Sequence, residues 1–255
     1  MPASYAHYRF GKLLLSEMPG DVRQCVQRFR RMYDMGLHGP DIFFYYNPFM
    51  TNSVRALASQ FHGQSGQAFF PRACAAADSE AARAYLYGLL AHYCLDSACH
   101  PFVRKMADSG EADHTALESE FDRYLMAMDG INEPHHYDLT RYMKLTRGEC
   151  MTVAAFYPPA TGANVSGSVR FMAFALRFLA GKNREKREKL LQRIKPSLCD
   201  FFIPTEPVEA FARMDSELLA RFNRSVKQYP ELLRQLEAHR KNGEPLGEEF
   251  EPDFG

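Results

Sequence analysis

Apolar residues recur every three to four positions along most of this chain, which is the period of helices with one buried face. The pattern predicts a helix over 22–35, stopped at Gly36. A longer one is expected over 78–105, opening on Asp-Ser-Glu-Ala, a cap with acid in the first turn. Pro101 cannot donate to that helix, so a kink or stop is expected near His100. A helix capped near Asp113 should run to about 129, with others suggested over 138–157, 167–181, 184–198 and 206–238. Strand signals are scarce. The aromatic run 41–46 is hemmed in by prolines, so 37–50 reads as a structured loop. The expected fold class is all-α, a single multi-helical domain over 1–243. The remainder, 244–255, holds five acids, no base and two prolines, and reads as an acidic flexible tail.

The chemistry lies on the faces of two of these helices. His92, Asp96 and His100 form a His-x3-Asp-x3-His run, and His114 and Glu118 repeat the spacing of four. Residues four apart share a helix face, with Cβ atoms about 5–6 Å apart. At ~100° per residue the first three stay within an arc of roughly 80°. Imidazole nitrogen and carboxylate oxygen suit zinc and related divalent metals. Each pair alone is explained by an ordinary i,i+4 hydrogen bond. Five such groups within 27 residues are hard to explain as packing, and point to a metalloprotein and a hydrolase. Further ligands are available in His7, in Asp41 of His-Gly-Pro-Asp-Ile, and in His62 at the end of a short helical pattern. Cys99 is nearly in line with His92 but reads as packing beside the site. Asp122 continues the His114–Glu118 stripe and could replace Glu118 or orient a histidine.

Charge and composition narrow the partners. Lys and Arg number 31 against 31 Asp and Glu, so bulk electrostatics advertises neither nucleic acid nor membrane. One stretch, 182–195, carries seven bases and two acids with Leu190, Leu191 and Ile194 on one side. It reads as a solvated amphipathic helix, with weak membrane-surface contact as the alternative. No run of 18 apolar residues exists, and 1–18 lacks the apolar core of a signal peptide, so a cytoplasmic location is expected. The six cysteines include no Cys-x-x-Cys pair and are expected as free thiols. No obligate protein partner is evident.

The order His7, Pro-Asp41-Ile, Phe-His62, His92-x3-Asp96, His100 and His114-x3-Glu118 resembles the zinc-dependent phospholipase C family, itself similar to S1/P1-type single-strand nucleases. The resemblance covers roughly 1–122. It implies an all-helical fold with three zinc ions at the base of a cleft. Asp41, His62, His92 and Asp96 would hold one zinc. Asp96 would bridge to a second that takes His7, and His100, His114 and Glu118 would hold a third. It further implies a phosphodiesterase acting on a phospholipid or nucleotide. A water or hydroxide between the paired zincs, ~3.5–4 Å apart, would be its nucleophile. Asp41 would be the general base, so that Asp41 and Asp96 are the catalytic residues. Two or three Zn²⁺ are expected per chain, and Fe²⁺ or Mn²⁺ also suits such donors. Three zinc ions exceed the charge of Asp41, Asp96 and Glu118, leaving positive charge for a phosphate diester.

Two departures from the secreted members stand out. Their processed N-terminal residue ligates zinc some dozen residues before the first histidine, whereas six residues precede His7 here. They also place a histidine six residues after the aspartate with a proline before it. Here His100 is four residues on and Pro101 follows, so a kink must re-aim His100. The aromatics Phe43, Phe44, Tyr45, Tyr46 and Phe49 read as loop packing or as a cleft wall beside Asp41. Two other functions stay open. One is a single-strand nuclease that stacks bases on those aromatics. The other is a non-catalytic helical protein with structural zinc, closed by four protein ligands.

Overall fold

A computed structural model of the chain describes residues 4–140, 143–181 and 183–255. Its helices are α1 (Ser4–Glu17), α2 (Gly20–Arg28), α3 (Arg30–Gly36), α4 (Ser53–His62), α5 (Gly66–Ala76) and α6 (Glu80–Asp108). They continue with α7 (His114–Met128), α8 (Arg147–Ala154), α9 (Gly162–Leu179), α10 (Arg184–Ile194) and α11 (Ala212–Asn242). Short 3₁₀ turns join them, and the fold is all-α, with no strand among the described residues.

The axis of the fold is α6, which starts at Ser79, whose hydroxyl accepts from the Ala82 N–H. From Ala84 to Asp96 every residue of α6 is buried, because α1, α2, α3, α5, α7 and α11 all lie against it. The closest crossing is with α3, at Gly36 and Gly88. A Cβ on Gly36 would collide with the Tyr85 carbonyl, and one on Gly88 with the Tyr33 carbonyl. Two glycines let the backbones touch, and one turn further along α6 stands His92.

Helix ends depart from the periodicity where side chains compete for the backbone. The stretch 22–35 divides at Phe29 (φ −114, ψ 43) into α2 and α3. Among the described residues of 138–157 only α8 is helical, and at the expected helix start the Asp138 carboxylate takes both the backbone N–H and the hydroxyl of Thr140. A capping box of Thr161 and Asn164 starts α9 five residues early, at Gly162. The helix α10 ends at Ile194, ahead of Pro196, and Lys182 of the basic stretch lies outside the described residues. Neither a stop nor a strand is found at the two proline signals: α6 runs through Pro101 to Asp108, and 39–45 is a 3₁₀ helix.

The segment 244–255 is not the loose tail expected from its acids. Phe250 and Phe254 are both fully buried in the core. The Tyr93 hydroxyl donates to the carbonyls of Glu249 and Pro252, and the Phe254 N–H donates to the His62 carbonyl at 3.0 Å. Burying a phenylalanine contributes about 1.5–3 kcal/mol. Two such anchors, four residues apart, outweigh the solvation of acids that point outward. All six cysteines are unpaired, as expected, four of them buried. No described helix is long and apolar enough to cross a membrane.

Candidate metal centre

Five elements bring the eight predicted residues together. His7 comes from α1, Asp41 from the 3₁₀ helix Gly39–Tyr45 and His62 from the last turn of α4. His92, Asp96 and His100 come from α6, and His114 and Glu118 from the first turns of α7. The α7 start is set by Asp113, which accepts from the N–H groups of Thr115 and Ala116. Gly39, at φ 50, lets the 3₁₀ helix begin directly against the His92 ring, where a Cβ would not fit.

Two compact groups result. Ligand atoms of Asp41, His62, His92 and Asp96 lie within 4.8 Å of one another, all buried, and those of His100, His114 and Glu118 do likewise. His7 belongs to neither group but stands on Asp96, with Nε2 3.0 Å from Oδ1. The other oxygen of Asp96 faces His92 Nε2 at 3.2 Å and His100 Nδ1 at 3.7 Å. One carboxylate therefore has histidines on both oxygens and joins the two groups. His100 needs no helix stop to be re-aimed: Nε2 lies 3.1 Å from Glu118 Oε1, and His114 Nε2 reaches the same oxygen at 3.4 Å.

The unsatisfied atoms test whether a cation fits. Asp41 Oδ1, His92 Nε2 and Asp96 Oδ2 are buried without any hydrogen-bond partner. His62 Nε2 approaches Asp41 Oδ1 to 2.6 Å without hydrogen-bond alignment. Leaving buried polar atoms unpaired costs about 1–3 kcal/mol each. Several converging on one point are the donor set of a divalent cation, and nitrogen with oxygen suits zinc.

Backbone carbonyls hold the outer nitrogens of three rings. His62 Nδ1 lies 2.6 Å from the Ala58 carbonyl, His92 Nδ1 3.2 Å from that of Leu37, and His100 Nδ1 3.2 Å from that of Phe254. Such partners fix the tautomer and leave Nε2 facing inward. The Leu37 contact follows from the Gly36–Gly88 crossing, and the Phe254 contact from the docked C-terminal segment. Neither carbonyl carries a sequence signal. Asp122 is in neither group; it accepts from the Tyr5 and Ala6 N–H groups at the start of α1, the helix that bears His7. Cys99 is buried beside the site and in neither group.

Electrostatics keeps the carboxylates ionised. Burial alone would raise Asp96, but His100, His92 and His7 outweigh it and hold it well below the usual range. Burial likewise opposes ionisation of Asp41 and Glu118. His62 and His92 overcome it at Asp41, and at Glu118, held well below the usual range, hydrogen bonds from His100 and His114 contribute to the lowering. Burial pushes His92 down to about 4, while Asp96 and Glu118 overcome burial and push His100 up to about 9. His38 is buried next to the centre and pushed down to about 3 by burial and then His7, so it stays neutral.

Beside the centre lies a small, mostly apolar cavity of about 30 Å³, lined by Leu139, Leu176, Leu179, Phe201 and Ile203 with the polar Tyr45, Asp122, His135 and Tyr137. Burial, with the charges of Asp41 and Glu118, pushes the Tyr45 phenol up, so it stays protonated. Of the aromatic run, Phe43 is core, packed edge-on to Tyr157, and Tyr45 is a cavity wall.

An all-helical protein with two adjoining groups of nitrogen and oxygen donors in its core is the class this fold and site define. A family profile described as zinc dependent phospholipase C matches residues 6–156, more than half of the chain, and the chain belongs to that family. The match extends past the last motif residue, Glu118, to the end of α8. At family level this makes it a zinc-dependent hydrolase of the phospholipase C kind, acting on phosphoesters. Neither curated proteins nor solved structures gave a match.

Proposed function

We propose that the chain hydrolyses the phosphodiester of a phospholipid, with its phosphate at the two ligand groups. The observation that carries this reading is the set of orphaned buried donors, Asp41 Oδ1, His92 Nε2 and Asp96 Oδ2, converging in the core. Asp41, His62, His92 and Asp96 would hold one zinc, Asp96 and His7 a second, and His100, His114 and Glu118 a third. Zinc, when bound, supplies positive charge for the phosphate and lowers the pKa of its bound water to about 7.

The protein's own residues do the rest. Asp41 is ionised and accepts the proton of the attacking water, as general base. Asp96 holds His7 and His92 on opposite oxygens and keeps the two halves of the site in register. Tyr45, held protonated, donates a hydrogen bond to the phosphate. The apolar wall supports a lipid over single-stranded nucleic acid, which would need a track of positive charge. The group of three protein ligands keeps an open position, which supports catalysis over structural zinc.

Zinc-loaded protein should cleave a phosphatidylcholine and the chromogenic diester bis(p-nitrophenyl) phosphate. Asp41→Asn keeps an oxygen donor but loses proton acceptance. It should be at least roughly 10²-fold slower while the metal on His100, His114 and Glu118 is retained. Cleavage of single-stranded nucleic acid and no lipid would favour the nuclease reading. Fully metallated protein that cleaves no lipid, nucleotide or nucleic acid would favour structural zinc.

A further inference from the structure

One apolar stripe is left partly exposed on the surface. Phe49 and Met50, at the end of the loop that follows Asp41, are 86% and 69% exposed. The Phe49 ring meets Phe171 edge-on at 5.8 Å, and the ladder continues to Phe174 at 5.7 Å and Phe178 at 6.2 Å. Positions 171, 174 and 178 share one face of α9. Arg187 of α10 lies over the Phe178 ring at 5.2 Å. From Arg187 the same spacing leads to Leu190 and Ile194, which are 56% and 69% exposed. The two helices thus present a stripe of three rings, with Phe171 and Phe178 half-buried and Phe174 exposed, and two aliphatic side chains, which the Phe49 ring of the loop extends. Soluble chains rarely leave so long an apolar run to water unless something covers it.

What flanks the stripe selects the occupant. Lys186, Lys189, Arg193 and Lys195 are exposed along α10 and just beyond it, on a chain whose formal charge is zero overall. Bases are therefore concentrated where the apolar side chains emerge. An amphipathic surface of rings and aliphatics bordered by lysine and arginine matches a bilayer interface, with rings at headgroup depth and bases over anionic lipid. We propose that this face of α9 and α10, with the Phe49–Met50 tip, docks the protein on an anionic phospholipid bilayer. The tip joins the loop that supplies Asp41, so docking brings the site to the lipid surface. The proposal is independent of the hydrolytic reading, because binding is measured without turnover.

The test is co-sedimentation of the full chain with phosphatidylcholine vesicles, with and without phosphatidylserine. Wild type should bind the mixed vesicles, bind phosphatidylcholine alone more weakly, and release with added salt. Phe174→Ser should weaken binding to both by at least about tenfold. Combining Lys189→Gln with Arg193→Gln should cost about fivefold per base on the anionic vesicles only. All three positions are exposed, so circular dichroism should show unchanged helix content. No binding by wild type, or binding that Phe174→Ser leaves intact, overturns the proposal. So does a wild-type dimer in sedimentation velocity that Phe174→Ser dissociates, since the stripe is then an interface between copies.

Discussion

Replacing Phe254 with alanine should loosen both the C-terminal segment and the histidine it holds. The ring is fully buried, with centroids 4.9 Å from Tyr93 and 5.1 Å from Phe69, and it also meets the His62 and His92 rings. Core Phe→Ala changes cost about 3–5 kcal/mol. For a chain of this size each kcal/mol moves the midpoint by about 2–4 °C, so the drop should be roughly 6–20 °C. The second effect is local. The Phe254 carbonyl lies 3.2 Å from His100 Nδ1, and losing such an outer partner typically costs about 10–100-fold in metal affinity. The backbone carbonyl is present in every variant, but Phe254→Leu keeps most of the apolar volume that anchors it, and should restore most of both. Thermal unfolding followed by circular dichroism gives the first quantity, and chelator competition for zinc gives the second. A variant that loses stability but binds zinc within about twofold of wild type would refute the role assigned to this carbonyl.

Other positions give sharper single outcomes. Asp96→Asn should lower zinc content and hydrolysis together, since both oxygens of Asp96 face histidines; near-normal values for both would show that the carboxylate joins nothing. Gly88→Ala should cost about 1–3 kcal/mol in urea unfolding, because the new Cβ runs into the Tyr33 carbonyl; a neutral effect would mean the α3–α6 crossing is looser than described. Burial and the neighbouring Glu120 push Asp215 up to about 7. Between its unfolded value of about 3.9 and pH 7 the folded state keeps a proton that the unfolded chain has released, so this group's stabilisation falls as pH rises through that window. Asp215→Asn should flatten that fall in urea titrations at pH 5 and pH 8, and an unchanged slope would remove Asp215 as its source.

How far the sequence could be read depended on whether a signal was local. The α6 and α7 motifs are legible because a spacing of four reports a shared face on a single helix. His7, Asp41 and His62 come from other elements, and only their order along the chain, through a family resemblance, grouped them with the rest. Carbonyl partners from Leu37, Ala58 and Phe254 were invisible, since any residue type supplies a carbonyl. At 244–255, acids dominated composition, whereas two aromatics four residues apart decided the packing. At 138–140 the apolar period suggests helix, but an Asx turn at Asp138 diverts the backbone. Pro101 misled in the opposite direction. On α6 the helix persists, and the neighbouring Ala98 carbonyl takes a donor from Arg221 of α11 at 3.0 Å.

The central claim is that these buried nitrogens and oxygens hold metal. Elemental analysis of the natively purified chain, before and after zinc reconstitution, tests it most directly, because it needs no knowledge of substrate. Two separate ligand groups predict at least two transition-metal ions per chain. Asp96→Asn should reduce that number, whereas the exposed-surface variant Phe174→Ser should keep it. Less than one equivalent in the reconstituted wild type would contradict the account.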